Sequence, residues 1–323
     1  MPRDRRQLPA TTALLFGGTA GCVAKTLVAP FDRVKIHFQV GHPELAPFRG
    51  HVTGVFGALR LLHARLGVAG LYRGHACTLA RIFPYAALNY AVFERLKHVL
   101  GPQPWARLLA GALAGSVAVS LTYPFDIVRA RVAYDLAQHA HVTPLRSGLV
   151  LGAIRQLRSE HPRFPLAAFY QGFLPTLLGI IPYAGVSFFT FETLKLALLR
   201  HREGAGAHAG AHENAHENTK DHTEKPQLPS LVTFACGLVA GALGQTCAYP
   251  LDVVRRRQQL HRVAPHLPRD VYAAGALAAL RAIVAEQGVR RGLFAGLSIN
   301  YLKVAPASGV SFLVYETLVQ HFS

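Results

Sequence analysis

Charge is scarce in this chain. Only 16% of its 323 residues are Asp, Glu, Lys or Arg, against 51% hydrophobic, which is apolar for a soluble protein of this length. Acids are scarcer still: 17 Asp and Glu face 34 Lys and Arg, a formal net charge of +17. That excess requires an anionic partner, whether nucleic acid, anionic lipid or a polyanionic substrate. Cysteine is limited to Cys22, Cys77, Cys236 and Cys247 without CxxC spacing, which argues against a disulfide framework and for free, buried thiols. There is no nucleophile–base pairing, metal-ligand spacing or glycine-rich nucleotide loop, so the chain does not read as an enzyme and no cofactor is expected. The opening "MPRDRRQLP" is basic, but its two prolines and one aspartate spoil an amphipathic targeting helix, and no cleavable secretory signal is evident.

What is present is a repeat. "YPFDIVRAR" at 123–131 places Pro124, Asp126 and Arg129 inside an apolar run, where a buried helix should not hold them. "APFDRVKIHFQ" repeats the pattern with Pro30, Asp32 and Lys35, and "YPLDVVRRRQQ" with Pro250, Asp252 and Arg255. A second proline follows each first one by 54 to 58 residues, at Pro84, Pro182 and Pro306. A GxxxG pair precedes each first proline: Gly17 and Gly21, Gly111 and Gly115, Gly237 and Gly241. Three copies of one unit of about 100 residues account for all of this. The expected division is 1–101, 102–201 and 228–323, with a polar insertion at 202–227. That insertion, "REGAGAHAGAHENAHENTKDHTEKPQ", has no apolar face and reads as a disordered loop. Its His208, His212 and His216 have i, i+4 spacing, but without Cys or a fixed scaffold they read as part of a solvated linker rather than a metal site.

Each unit carries two long apolar segments, near 11–40 and 74–99, 104–136 and 172–200, 228–261 and 297–320. Each covers the ~20 residues that cross a bilayer core. Shorter helical patterns lie between them at 53–66, 146–160 and 271–287. Lys25, Asp32, Arg81, Asn89, Asp126, Ser187, Asp252 and Lys303 interrupt the long segments, and ionisable groups at membrane depth normally face a bundle interior or a wet cavity. The expected fold is an all-α membrane protein: six tilted transmembrane helices in three pseudo-symmetric repeats around a central cavity, with short additional helices. The GxxxG pairs are expected to let helices approach closely, and the prolines to kink them.

In each motif the acid and base are three residues apart and share a helix face. A local pair in each helix is one reading. The other joins neighbouring repeats in a ring, Asp32 with Arg129, Asp126 with Arg255 and Asp252 with Lys35, closing one end of the cavity. Residues that break the three-fold pattern are candidates for an asymmetric substrate. Three residues before each second proline stand Arg81, Gly179 and Lys303. Gly179 leaves an open position at that height, with the apolar Ile180 next to it and the ring of Tyr183 just past the proline. Arg81 and Lys303 suit phosphates. Lys25 and Arg256 are further cations unmatched in the other repeats. Four separate cations imply a polyanion. Nucleic acid fits poorly, because the bases sit at helix ends and inside apolar runs.

The tripled Pro-x-Asp-x-x-basic pattern and the later "LYRG" element, degraded to "FYQG" and "LFAG", resemble the mitochondrial carrier family over nearly the whole chain. The resemblance implies a multi-pass inner-membrane carrier, with termini and insertion toward the intermembrane space and the short helices on the matrix side. It implies that the aspartate–base ring is a matrix gate, braced by Gln39 and Gln259, with Ala133 in the third place. It implies a second gate toward the cytoplasm from Glu94, Lys97, Glu192, Lys195 and Glu316, pairing Glu94 with Lys195 and Glu316 with Lys97; Val319 stands where Glu192 needs a base. A monomer is expected, with cardiolipin phosphates at the helix N-termini after Gly74, Gly172 and Gly296. "KTLVAPFDRVKIHFQV", "IIPYAGVSFFTFETLK" and "YPLDVVRRRQQ" are most similar to the coenzyme A carriers within the family. Arg81, Gly179 and Lys303 match the register of the family's substrate contact points, and the resemblance implies that Gly179 leaves room for an adenine, with Ile180 as an apolar face and Tyr183 stacking on it. The implied activity is coenzyme A uptake in exchange for adenine nucleotides, with a carrier of other adenine nucleotides, of the ATP-Mg/phosphate type, as the alternative. A non-transporting membrane scaffold is the reading from a different class.

Overall fold

The computed structural model describes residues 10–135, 147–160, 164–209 and 229–322. They are helical throughout, with no strand among them. The long segments become α1 (Ala10–Val40), α3 (His75–Leu100), α4 (Pro104–Tyr134), α7 (Phe173–Ala209), α8 (Ser230–Leu260) and α11 (Leu297–Phe322). The short ones become α2 (Val52–Leu71), α5 (Ser147–Glu160) and, in the third repeat, two pieces. There a single helix is expected over 271–287, but Gly275, at φ 130°, splits α9 (Arg269–Ala273) from α10 (Ala276–Gly288). A one-turn helix, α6 (Pro165–Ala168), leads into α7. Each long helix continues across its proline.

Six stretches are long and apolar enough to cross a membrane among the described residues. They include α2 and the run Ala276–His321, and leave out α3. The expectation for α3 rested on length; Arg81, Pro84, Asn89 and two tyrosines lower its hydropathy. Large apolar side chains stand exposed on the long helices, among them Leu121, Phe189, Phe312 and Leu313. Water would not tolerate so many, whereas lipid solvates them without penalty.

The helices form two compact units, residues 1–180 with 249–323, and residues 181–248. In the first, the buried core lies where α1, α4 and α8 end. Ile36, Val40, Ala130, Tyr134, Val253 and Leu260 pack with Ile283 of α10. Leu62 of α2 packs with Val34 and Phe38, and Leu157 of α5 with Ile127 and Val132. The short helices therefore cover the C-terminal ends of α1, α4 and α8.

Three glycines set the entry to α3, α7 and α11. Gly74, Gly172 and Gly296 all have φ of 74–82°, a conformation that a Cβ disfavours. Each also abuts the following repeat. A Cβ on Gly74 would lie 3.0 Å from the Arg129 carbonyl of α4, and one on Gly172 2.8 Å from the Arg255 carbonyl of α8. One on Gly296 would lie 3.4 Å from Phe38 of α1.

The GxxxG glycines are not the close contacts. Gly17, Gly111, Gly115, Gly237 and Gly241 face open space among the described residues, and Gly21 has only Ile82 at 3.9 Å. Gly18 of α1 instead lies against the Phe83 ring of α3. In the second unit, Gly244 of α8 lies against Ser187 and the Tyr183 carbonyl of α7. Gly18 follows Gly17 by one residue, about 100° of helix rotation, and Gly244 follows Gly241 by three, about 60° the other way, so each contact lies on a face beside the GxxxG one.

The insertion begins as helix: α7 runs through His208 to Ala209. His212, His216 and the remainder to 227 lie outside the described residues.

Candidate substrate site and gate

The three motif aspartates sit on the C-terminal halves of α1, α4 and α8, and each meets a cation from a neighbouring helix. Arg129 Nη2 is 2.9 Å from Asp32 Oδ2, Arg255 Nη2 is 2.6 Å from Asp126 Oδ2, and Lys35 Nζ is 2.9 Å from Asp252 Oδ2. None is a local pair within its helix. The ring reading therefore describes the geometry: on each helix the acid meets one neighbour and the base three residues on meets the other.

The second oxygen of two of these carboxylates is also taken. Arg81 Nη1 lies 2.9 Å from Asp126 Oδ1, and Lys303 Nζ 2.5 Å from Asp32 Oδ1. Arg81 also donates to Thr122 Oγ1 at 3.0 Å and stacks over the Tyr85 ring. In the second repeat the equivalent position is Gly179, whose nearest neighbour is Leu251 at 3.7 Å from a built Cβ. Asp252 receives Gln39 Nε2 at 3.0 Å, on the same Oδ2 that takes Lys35. The three-fold pattern thus fails at one carboxylate, where Gly179 leaves the place of the second cation without a side chain.

Gln259 behaves differently from Gln39. Its Nε2 donates to the Tyr123 hydroxyl at 2.9 Å, and its Oε1 accepts from Arg256 Nη1 at 2.7 Å. It does not bond the Asp126–Arg255 pair directly, as expected from the resemblance; Tyr123 intervenes, with Arg255 over its ring at 5.5 Å. The tyrosine hydroxyl, in turn, donates to the Gln171 carbonyl at 2.8 Å. Lys35 has the matching arrangement over Tyr249 at 5.0 Å, and a further contact to Asn300 Oδ1 at 3.2 Å. Tyr123, Tyr249 and Asn300 were not among the sequence candidates. The signal existed: Tyr123 and Tyr249 directly precede the motif prolines, where the first repeat has Ala29.

Lys25 lies within Coulombic reach of Asp32, Lys303, Arg129 and Arg81. Arg256 is similarly placed toward Asp252 and Asp126. Seven cations, Lys25, Lys35, Arg81, Arg129, Arg255, Arg256 and Lys303, thus surround three aspartates. Four positive charges in excess suit a ligand with several phosphate charges. Gly179 and Ile180 complete this set in the first unit.

The second set is less closely joined. Lys97 pairs with Glu94 of its own helix at 3.3 Å, not with Glu316 as expected, because an i, i+3 partner is in reach without any helix movement. Glu316 lies on α11. Tyr183, Glu192 and Lys195 lie in the second unit, with Tyr183 partly exposed.

The sequence pattern of the family described as "Mitochondrial carrier protein" matches residues 6–104, 101–202 and 226–323. The chain belongs to the mitochondrial carrier family. This carrier is 40% identical to the mouse "Mitochondrial coenzyme A transporter SLC25A42", over 98% of its own length and 89% of that protein's. It is 37% identical to human "Solute carrier family 25 member 16", covering 98% and 90% of the two chains. It is 36% identical to "Mitochondrial carrier protein LEU5" of Saccharomyces cerevisiae, covering 95% and 89%. The carrier is accordingly a multi-pass protein of the mitochondrial inner membrane, in a family of transporters rather than enzymes.

Proposed function

We propose that this carrier imports coenzyme A into the matrix in exchange for adenine nucleotides such as ADP or adenosine 3',5'-diphosphate. The observation that carries the reading is the asymmetry at Arg81, Gly179 and Lys303: two cations on gate carboxylates and a gap at the third. A nucleotide with phosphates on its ribose and an adenine at the other end fits that division. The phosphates take Arg81 and Lys303, with Lys25 and Arg256 nearby, while Gly179 and Ile180 receive the base. A polyphosphate offers more charge than a single carboxylate, so it competes with Asp126 and Asp32 for the same two cations. The relatives named as coenzyme A transporters support this substrate over other adenine nucleotides.

The aspartate ring is the matrix gate of this reading, strengthened by Gln39 on Asp252 and by Tyr123 and Tyr249 under two of its cations. The residues Glu94, Lys97, Glu192, Lys195 and Glu316 form the closure used in the opposite state. Exchange then proceeds by alternating access, with the matrix gate closed in the arrangement described here. We further assign monomeric operation, cardiolipin phosphates at the N-termini after Gly74, Gly172 and Gly296, and termini with the polar insertion toward the intermembrane space.

The test is exchange in liposomes. Purified carrier loaded with adenosine 3',5'-diphosphate should take up labelled coenzyme A. Exchange of ADP for ATP with no coenzyme A uptake overturns the substrate; no exchange of any nucleotide overturns the transporter reading.

A further inference from the structure

We propose that Arg33, Arg131 and Arg257 form a second closure of the same gate, made of arginine–carbonyl bonds on the C-terminal side of the aspartate ring. It rests on the alternating-access reading above. The three arginines are at most 4% exposed. Burying a guanidinium this deeply is costly unless most of its donors are used. They are not equivalent in sequence: Arg131 and Arg257 stand five residues after the motif aspartates, where the first repeat has His37, and Arg33 follows Asp32 directly.

Despite that offset, each reaches the same kind of acceptor. Arg33 Nη2 donates to the Asp135 carbonyl at 2.9 Å, Arg131 Nε to the Gln259 carbonyl at 3.3 Å, and Arg257 Nε to the Gln39 carbonyl at 3.0 Å. These acceptors close α4, α8 and α1. The last four carbonyls of a helix have no partner within it and carry the negative end of its dipole. Each arginine therefore caps the helix of the following repeat.

The two rings run in opposite senses. In the aspartate ring α4 reaches α1, α8 reaches α4 and α1 reaches α8. In the arginine ring α1 reaches α4, α4 reaches α8 and α8 reaches α1. Every neighbouring pair of these helices is thus tied twice. The remaining donors stay within each arginine's own repeat: Arg33 on the Gly70 carbonyl, Arg131 on Glu160 and Gln171, Arg257 on the Tyr272 hydroxyl and Gln287. When the helices part, each arginine remains with its own repeat and only the carbonyl bond must break. The hydrogen-bond acceptors are main-chain carbonyls, with the Asp135 carboxylate adding attraction at Arg33, and none is a carboxylate contested by Arg81 and Lys303, so this layer opposes opening independently of that competition.

A closed ring opens as one, and this separates it from three local stabilising contacts. The reporter is Ala133→Cys on a background with the four native cysteines replaced by serine. Ala133 is 3% exposed and lines the small cavity between α1 and α4 with Arg33 and Arg129. Labelling by a water-soluble maleimide is followed in proteoliposomes without substrate. Arg257→Gln breaks a bond between α8 and α1, away from the reporter, and should speed labelling about fivefold. Tyr272→Phe, which removes only a partner within the repeat, should leave the rate within about twofold. If Arg257→Gln does not fold, Arg257→Lys should give a smaller increase in the same direction. Asp252→Asn is the reference for the aspartate ring. If it raises labelling and the Arg257 variant only lowers the unfolding temperature, the second closure is wrong and the gate stands. If neither raises labelling, the gate reading and the second closure fall together.

Discussion

Arg81 and Asp126 form an ion pair of 2.9 Å, and the other oxygen of the same carboxylate holds Arg255 at 2.6 Å. One carboxylate thereby connects a candidate substrate ligand to the gate. Arg81 is partly exposed while Asp126 is nearly buried, so a phosphate entering the proposed site would meet the arginine first. Lys303 and Asp32 repeat the arrangement with Arg129.

Replacing Arg81 or Lys303 by alanine should therefore remove substrate affinity while the gate retains its own cations. Loss of a charge-assisted pair costs about 1.5–3 kcal/mol, or roughly ten- to a hundredfold in KM for coenzyme A exchange in liposomes. Near-normal KM in either variant refutes the site. An unfolding temperature far below that of the parent would show that the residue is structural instead.

Gly179 offers a converse test. A Cβ there meets only ordinary contact with Leu251, so Gly179→Ala should fold with unchanged stability and transport at a reduced rate. Gly179→Lys restores the three-fold pattern, offers Asp252 a second cation beside Lys35 and fills the space assigned to the base. It should fold but lose uptake. Full uptake by the lysine variant would place the base elsewhere.

The two glutamines should separate. Gln39→Ala removes a direct bond to Asp252 and weakens the closed state by about 1 kcal/mol, raising substrate-free cysteine labelling near the gate about fivefold. Gln259→Ala leaves Asp126 with Arg255 and Arg81, and Tyr123 with the Gln171 carbonyl. It should shift labelling by less than half as much. Equal effects would mean that the bonds seen at Gln259 do not govern its role.

Low pH should destabilise the carrier through His42 and His266. Burial lowers the pKa of both; Arg65 adds to this at His42, and Arg257 and Arg49 at His266, against opposition from Glu44 and from the Val40 carbonyl. The His42 ring also contacts His37, Tyr134 and His266. A depressed folded-state value means that the unfolded chain binds protons more readily. Stability is then complete above the unfolded value of about 6.5 and falls as pH drops below it. Detergent-solubilised carrier should lose unfolding temperature between about pH 6.5 and 5, and His42→Phe should flatten that dependence. An unchanged slope in the variant assigns the effect to other groups.

The repeated Pro-x-Asp-x-x-basic spacing was enough to place six long helices, three short helical regions and every motif cation. Spacing also singled out Arg81, Gly179 and Lys303, because these equivalent positions break the repeat. Both are properties of one chain read against its own copies, and helix periodicity translates them into faces without any tertiary knowledge.

Partner choice was different. That Arg81 and Lys303 take the second oxygens of Asp126 and Asp32, that Gln259 turns to Tyr123, and that Gly18 rather than Gly17 is the close contact all depend on which faces meet. One residue turns a side chain by about 100°, and ångströms decide whether a donor reaches a carboxylate, a hydroxyl or a carbonyl. Arg33 shows the limit most plainly. Its position breaks the repeat, so sequence alignment sets it apart from Arg131 and Arg257, yet folding brings all three to the carbonyl ends of neighbouring helices. Sequence determined the repeat, the fold class and the asymmetric cations. Only the tertiary structure decided their partners, because main-chain acceptors at helix ends carry no residue-type signal and become available only where another helix approaches.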